Sequence, residues 1–198
     1  MLNHFLQTHG ILHVAPDGQM RPDFAPPIAL LPGSFNPLHR AHLALAQVAE
    51  QILGQGVAFE LSVVNVDKPT LSHDEIRRRL TQFAWRASVW LTHAPRFIDK
   101  AERFPGTTFV VGADTALRIV SPRYYDDDEA QMLSALASLR ERDCRFLVAC
   151  RADAGGKCLT LDDVPIRPGA RDLFQSIAPE QFRWTLSSTE LRALGHTL

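Results

Sequence analysis

The stretch I-A-L-L-P-G-S-F-N-P-L-H-R-A-H, residues 28–42, joins a short apolar run to a glycine turn and the start of a helix. The run I-A-L-L predicts a buried strand that ends at Pro32 and Gly33. A helical pattern follows from Leu38 to Leu53 and is stopped by Gly54. Strand, glycine turn and helix in this order predict the first unit of an α/β fold.

The alternation of strands and helices continues along the chain. Further strands are predicted at 58–66, 89–92, 108–112 and 145–150, with helices near 98–104, from Asp114 and over 128–142, and one capped by Ser72 with Glu75. This alternation predicts a parallel sheet that is covered by helices on both faces. Ligands of such sheets bind beyond the carboxyl ends of the strands, so the chemistry is predicted at that edge.

Length and composition are those of one globular domain. The chain has 198 residues, of which 45% are hydrophobic and 22% charged, and its formal net charge is -1. This balance predicts neither nucleic acid nor a membrane as a partner. The N-terminus lacks the basic start and long apolar run of a signal peptide, and no apolar stretch approaches the ~20 residues of a membrane span. We therefore expect a cytoplasmic protein.

Residues 1–27 differ from the rest of the chain. They hold two short apolar clusters, a P-D-G turn at 16–18, and three prolines that close the segment, Pro22, Pro26 and Pro27. This pattern predicts an N-terminal extension that forms a hairpin, followed by a single domain over 28–198.

The three cysteines predict no metal and no disulfide. Cys144, Cys150 and Cys158 are odd in number and match no C-x-x-C spacing. We expect three thiols in a reducing compartment.

Two histidines begin the helix that follows the glycine turn. His39 and His42 are three residues apart and lie on nearly the same face of its first turn. Helix N-terminal N–H groups and two imidazoles at one point form an anion site, most naturally for phosphate. Two polar residues at an ordinary helix start, or a zinc pair, are the alternatives. The zinc pair lacks an H-E-x-x-H pattern and a third ligand.

A second motif, L-S-S-T-E-L-R, stands at residues 186–192. By itself it is also typical of a capping box, formed by Ser187 and Glu190. Together, however, G-S-F-N-P-L-H-R-A-H and L-S-S-T-E-L-R resemble the paired signature of the HxGH nucleotidylyltransferase superfamily, whose members are cytidylyltransferase-like. The resemblance covers about residues 28–192 and excludes the extension.

Three further stretches resemble nicotinamide and nicotinate mononucleotide adenylyltransferases. V-D-K-P at 66–69 is similar to their lysine loop, F-V-V-G-A-D-T-A at 109–116 to their G-A-D turn, and Arg151 stands where they often have an arginine. The chain looks closest to a divergent branch of that group. Ala41 and Asn36 depart from the pattern, since the family usually has glycine at the first position and aspartate or threonine at the second.

The resemblance implies a Rossmann-like α/β/α sandwich with a mainly parallel sheet. It implies transfer of AMP from ATP to nicotinamide or nicotinate mononucleotide, with release of pyrophosphate and with Mg²⁺ carried on the triphosphate rather than by protein side chains. The catalytic residues implied are His39, His42 and Arg192, and the ATP-binding residues are these three with Gly33, Ser34, Phe35, Ser187, Ser188 and Thr189. Lys68, Gly112, Asp114 and Arg151 are implied to contact a substrate or the nucleotide.

The motifs specify neither the acceptor nor an oligomeric state. Transfer from ATP or CTP to a pantetheine, choline or glycerol phosphate is one alternative, and a nucleotide-binding module with little activity is another. Trp90, Tyr124 and Trp184 are candidate stacking partners for the acceptor's ring, although each residue type is more often found in a core. Arg77, Arg78 and Arg79 lie on one predicted helix and cannot all face one ligand.

Overall fold

The computed structural model describes residues 1–66, 69–152 and 158–182. Its strands are β1 (Leu12–Val14), β2 (Met20–Arg21), β3 (Ala29–Pro32), β4 (Val57–Ser62), β5 (Val89–Thr92), β6 (Thr108–Gly112), β7 (Arg145–Ala149), β8 (Arg151–Ala152), β9 (Cys158–Leu159) and β10 (Phe174–Ser176). Its α-helices are α1 (Leu2–Thr8), α2 (Arg40–Leu53), α3 (His73–Thr81), α4 (Phe97–Arg103), α5 (Ala113–Ile119) and α6 (Glu129–Glu141). Short 3-10 helices span Pro122–Tyr124, Leu161–Asp163 and Pro168–Leu173.

Eight strands form one sheet in the order β10-β7-β6-β3-β4-β5-β1-β2. The six strands from β10 to β5 are parallel, and β1 and β2 are antiparallel. Numbered by their own chain order, the parallel strands run 3-2-1-4-5-6, the Rossmann arrangement. The predicted α/β class is confirmed. The strand order reverses between β3 and β6, which places the crevice for a ligand at the carboxyl end of β3.

Helices cover both faces of the sheet. On one face α2 packs Ala46 and Ala49 against Phe59 and Leu61 of β4. On the other face α4, α5 and α6 pack against residues that include Leu30, Phe109 and Phe146. The central parallel strands are mostly apolar, as sheets buried on both sides require, with Glu60 of β4 as a buried exception.

The helices begin and end where the sequence supplies caps. Ser72 accepts the backbone N–H of Glu75 at 3.2 Å and starts α3. Asp128 caps α6 by accepting N–H groups of Ala130 and Gln131, and Gly54 ends α2 with a φ of 66°. α2 begins at Arg40, two residues later than the sequence predicts, because His39 is in an extended conformation.

Residues 1–27 are part of the sheet. The predicted hairpin is present as β1 and β2, and β1 pairs with β5 so that His13 lies opposite Trp90. Leu2 and Phe5 of α1 join the core on the α2 face. At the other edge of the sheet β10 pairs with β7, and this strand was not among those predicted from the sequence.

The expectation of three thiols is wrong. Cys150 and Cys158 form a disulfide, with Cα atoms 5.8 Å apart, and Cys144 is a buried free thiol. β8 and β9 pair as an antiparallel ribbon, with Ala152 opposite Cys158, and this pairing brings the two cysteines together. The count and spacing of cysteines do not reveal such proximity. No helix in the described part of the chain is long and apolar enough to cross a membrane.

Candidate active site

The loop from Gly33 to Leu38 connects β3 to α2 at the point where the strand order reverses. Gly33 donates its N–H to the carbonyl oxygen of Glu60 at 2.9 Å, which ties the loop to β4. A Cβ atom on Gly33 would lie 2.7 Å from two ring atoms of Phe35, so only glycine fits there. Phe35 is fully buried with a φ of 43°, and its ring holds the turn closed.

His39 and His42 stand together at the start of α2. Their rings stack with centroids 3.7 Å apart, and the ring edge of Phe35 contacts His42. The backbone N–H of His39 donates to Nδ1 of His42 at 3.3 Å. A neutral His42 therefore carries its proton on Nε2, where it can donate to an anion. Nδ1 of His39 is buried and lacks a hydrogen-bond partner among the described residues.

The electrostatics of this pair favour neutral imidazoles beside a fixed positive charge. Burial, His39 and Arg151 lower the pKa of His42 to about 3. Burial and Arg151 also lower the pKa of His39. The guanidinium of Arg151, in β8, is thus close enough to act on both rings. Together with the N–H groups of the first turn of α2, these groups form an anion site.

The lowered pKa of His42 is expected to reduce stability at acid pH. The unfolded chain binds this proton near pH 6.5, whereas the folded protein binds it only near pH 3. Between these values the unfolded state holds more protons, so the free energy of unfolding decreases as the pH falls. Denaturant titrations at about pH 7 and about pH 4 should show this decrease, and a smaller one in His42→Gln. Equal decreases in both proteins would contradict it.

Ala41 is expected to accept glycine at a cost in stability. Its methyl group, 6% exposed, lies in the first turn of α2 between the two histidines. Glycine costs a helix about 1 kcal/mol relative to alanine. Removing the methyl group lets a nucleotide approach the backbone more closely. We expect Ala41→Gly to lower the melting temperature and to leave kcat equal or higher, which thermal unfolding and steady-state assays measure. A clear loss of kcat would contradict this prediction.

Side chains of helix α3 and of the residue after it brace the loop between β3 and α2 through hydrogen bonds. Arg79 Nη1 donates to the carbonyl oxygen of Ser34 at 2.8 Å. Gln82, which follows α3, donates Nε2 to the carbonyl oxygen of Phe35 at 3.0 Å and accepts the N–H of Leu38 at 2.8 Å. Both side chains satisfy backbone groups that the tight turn leaves unpaired. Of the three successive arginines, two contact this loop: Arg78 Nη2 donates to Oδ1 of Asn36, and Arg79, which is 7% exposed, donates to Ser34.

A cavity of about 360 Å³ lies at the carboxyl edge of the sheet, on the face that α4, α5 and α6 cover. One wall of the cavity is formed by Gly33 and Ser34, which belong to the loop that leads to the two histidines. Its chemistry is mixed: aromatic and apolar side chains alternate with cations and hydroxyls. The residues most relevant to recognition are Ser62, Asn65, Arg96, Phe97, Thr115, Arg118, Tyr124 and Tyr125, with Glu60 and Lys100 at the floor.

The predicted site residues fall into three groups. The first group lies on the loop or close to it, and Tyr124 lines the cavity. The members at the loop are Gly33, Ser34, Phe35, His39, His42 and Arg151. Gly112 and Asp114 lie at the carboxyl end of β6 beside β3, and a Cβ on Gly112 would lie 2.5 Å from Oδ1 of Asp114. Lys68, Trp184, Ser187, Ser188, Thr189 and Arg192 lie outside the described residues.

Trp90 is not at the cavity, contrary to its selection as a stacking partner. It is 1% exposed and packs on His13 of the extension and on Phe104. The hairpin covers the strand that carries it, so its ring belongs to the core. Sequence reasoning missed Gln82, Lys100 and Glu60, although the carboxylate of Glu60 within the apolar run A-F-E-L was a usable signal.

Parallel strands in Rossmann order, with an anion site at a helix start where the order reverses, define a nucleotide-binding α/β protein. The chain belongs to the cytidylyltransferase-like family, whose model matches residues 30–194. It is thus a nucleotidyltransferase, and a nucleoside triphosphate is one of its substrates. A comparison with curated proteins finds no match.

Proposed function

We propose that the protein transfers AMP from ATP to nicotinamide mononucleotide or nicotinate mononucleotide and releases pyrophosphate. The observation that supports this proposal is the shared wall of Gly33 and Ser34. This wall belongs to the loop that leads to the anion site, which is suited to a triphosphate, and it borders a cavity large enough for a ring and a sugar. The phosphates of the two substrates would then meet beside this loop.

In the proposed reaction a phosphate oxygen of the mononucleotide attacks the α-phosphorus of ATP. One P–O bond forms, the bond to the bridging oxygen breaks, and pyrophosphate leaves. A phosphomonoester has a second pKa of about 6 and is largely a dianion at neutral pH, so no protein base is needed. The protein's task is to align the two phosphates and to stabilise the charge that develops.

The proposal assigns that stabilisation to the histidine pair. Nε2–H of His42 would donate to an oxygen of the α-phosphate, because its Nδ1 already accepts the N–H of His39. His39 and Arg151 would contact the same triphosphate. Gly112 and Asp114 would border the nucleotide from β6. We assign the β- and γ-phosphates to Ser187, Ser188, Thr189 and Arg192, and a phosphate contact to Lys68.

Magnesium is proposed to enter with the triphosphate. Within the described ranges no three His, Cys, Asp or Glu side chains are placed to hold a metal ion. Mg²⁺ commonly keeps phosphate and water ligands, so a site of this kind fits the ion without a protein cage. When bound, it neutralises charge on the leaving pyrophosphate.

The cavity favours an acceptor with an aromatic ring. Phe97, Tyr124 and Tyr125 supply flat surfaces on which a pyridine ring can stack. Arg118 is exposed and lines the same cavity, where it can contact the acceptor's phosphate. Glycerol phosphate would leave the aromatic surfaces unused. A choline ammonium could also contact them, so the assay below includes choline phosphate.

The test is formation of a dinucleotide. The protein, ATP, Mg²⁺ and either mononucleotide are expected to yield the dinucleotide and one pyrophosphate per turnover, measured by chromatography and by a coupled assay. The His42→Ala protein is the background control. If neither mononucleotide gives a product above that background, the substrate assignment fails. Pyrophosphate release with CTP or with pantetheine, choline or glycerol phosphate would then identify another transferase, and tight ATP binding without turnover would identify a binding module.

A further inference from the structure

The floor of the cavity is a buried ion pair between Glu60 of β4 and Lys100 of α4. Glu60 is 1% exposed and Lys100 is 4% exposed, and Nζ of Lys100 lies 2.9 Å from each carboxylate oxygen. Removing such a pair from water has a desolvation cost that often exceeds its Coulombic gain. The pair is therefore poorly explained as a source of stability, and its place against the cavity suggests a role in recognition.

The hydrogen bonds of the pair determine what it offers to a ligand. The ammonium group of Lys100 has three N–H donors. Two contact the oxygens of Glu60, and the third donates to the carbonyl oxygen of Ala94 at 2.7 Å. Lys100 therefore has no donor left for a ligand.

Glu60 still has capacity to accept. Its Oε1 accepts from Lys100 and from the hydroxyl of Thr92, whereas among the described residues Oε2 accepts only from Lys100. A carboxylate oxygen can accept two hydrogen bonds. The Glu60–Lys100 pair carries no net charge, so within the described residues the floor presents a hydrogen-bond acceptor and no free donor of the pair.

We propose that Glu60 selects the carboxamide form of the acceptor over the carboxylate form, that is, nicotinamide mononucleotide over nicotinate mononucleotide. This inference rests on the proposed function. An amide NH₂ can donate to Oε2 of Glu60. A carboxylate at the same place would bring two acceptor oxygens together away from water with no donor between them, and Lys100, already paired with Glu60, would offset only part of their repulsion.

The cavity's arginines do not reverse this preference. Arg96 donates Nε and Nη2 to the two oxygens of Asp99, at 3.1 and 2.9 Å, so its charge is already paired. Arg118 is exposed and is assigned to the acceptor's phosphate. A nicotinate carboxylate would compete with that phosphate for the same guanidinium.

The test compares kcat/KM for the two mononucleotides with the complete protein, ATP and Mg²⁺. We expect a preference of about 100-fold for the amide, since a buried group that must pair with a donor discriminates strongly. Calorimetric titration of each mononucleotide without ATP should show the same order of affinity. Equal use of both mononucleotides overturns the inference and leaves the proposed function intact. No product from either overturns both.

A double variant tests the residues themselves. Glu60→Leu with Lys100→Met replaces the pair by apolar side chains, and we expect the preference for the amide to fall at least about tenfold. Glu129→Leu with Arg167→Met removes an exposed ion pair by the same substitutions and should keep the preference. An unchanged preference in a folded Glu60→Leu/Lys100→Met protein overturns the assignment. If that protein does not fold, the comparison of kcat/KM for the two mononucleotides with the unaltered protein still tests the proposed preference for the amide.

Discussion

Replacing His42 with alanine is expected to lower kcat roughly 100- to 1,000-fold, as loss of one pre-aligned donor to a developing charge does in other enzymes. The physical reason for the expected loss is the tautomer of His42. Nδ1 of His42 accepts the N–H of His39, so Nε2 carries the proton that the proposed function assigns to the transition state. Because the pKa of His42 is lowered to about 3 in the unliganded protein, this donor is a neutral imidazole when the triphosphate arrives at neutral pH. Single-turnover kinetics with saturating ATP measure the chemical step directly.

The control is His4→Ala, which removes an exposed histidine from α1. It should match the unaltered protein in kcat, KM for ATP and melting temperature. A binding role alone would raise KM for ATP in His42→Ala and leave kcat unchanged. That result would contradict the assignment of His42 to the transition state.

Replacing Gln82 with leucine is expected to lower kcat roughly tenfold or more and to destabilise the fold by about 1–3 kcal/mol, the cost of leaving buried polar groups unpaired. Gln82 alone satisfies both the carbonyl oxygen of Phe35 and the N–H of Leu38. Without Gln82, the loop between β3 and α2 loses both of these hydrogen bonds. A shift of a few tenths of an ångström in that loop moves His39 and His42 away from alignment.

The matched control is Gln51→Leu, at an exposed position on α2. It introduces the same side chain without touching the loop, so both kcat and stability should stay near their original values. Chemical denaturation and steady-state assays provide the two readouts. If Gln82→Leu loses stability but keeps kcat at a temperature where it is fully folded, the brace supports the fold and does not position the histidines.

The elements that sequence reasoning recovered are those whose signals are local. β3, the glycine turn and α2 could be predicted because strand and helix periodicities act over a few residues. The spacing of three between His39 and His42 was visible in the sequence, but their stacking depends on an extended His39 that precedes α2 as its N-cap. The predicted strand at 58–66, by contrast, ends at Ser62, whose hydroxyl donates to the carbonyl oxygen of Val64 and turns the chain.

The features that sequence reasoning missed depend on residues far apart in the chain. Glu60 and Lys100 are 40 residues apart, and Gln82 is 44 residues from Leu38, so no local pattern links either pair. Trp90 was predicted to stack on a ligand, but its ring packs against His13 of the N-terminal hairpin, which pairs with the strand that carries it.

By itself, then, the sequence determined the α/β class, the glycine turn and the two histidines three residues apart at a helix start. The tertiary structure decided which arginines contact that turn, which cysteines pair, and which charges form the floor of the cavity. The physical reason is that strand order and register bring distant residues together, and these depend on burial of the whole core rather than on the spacing of neighbours.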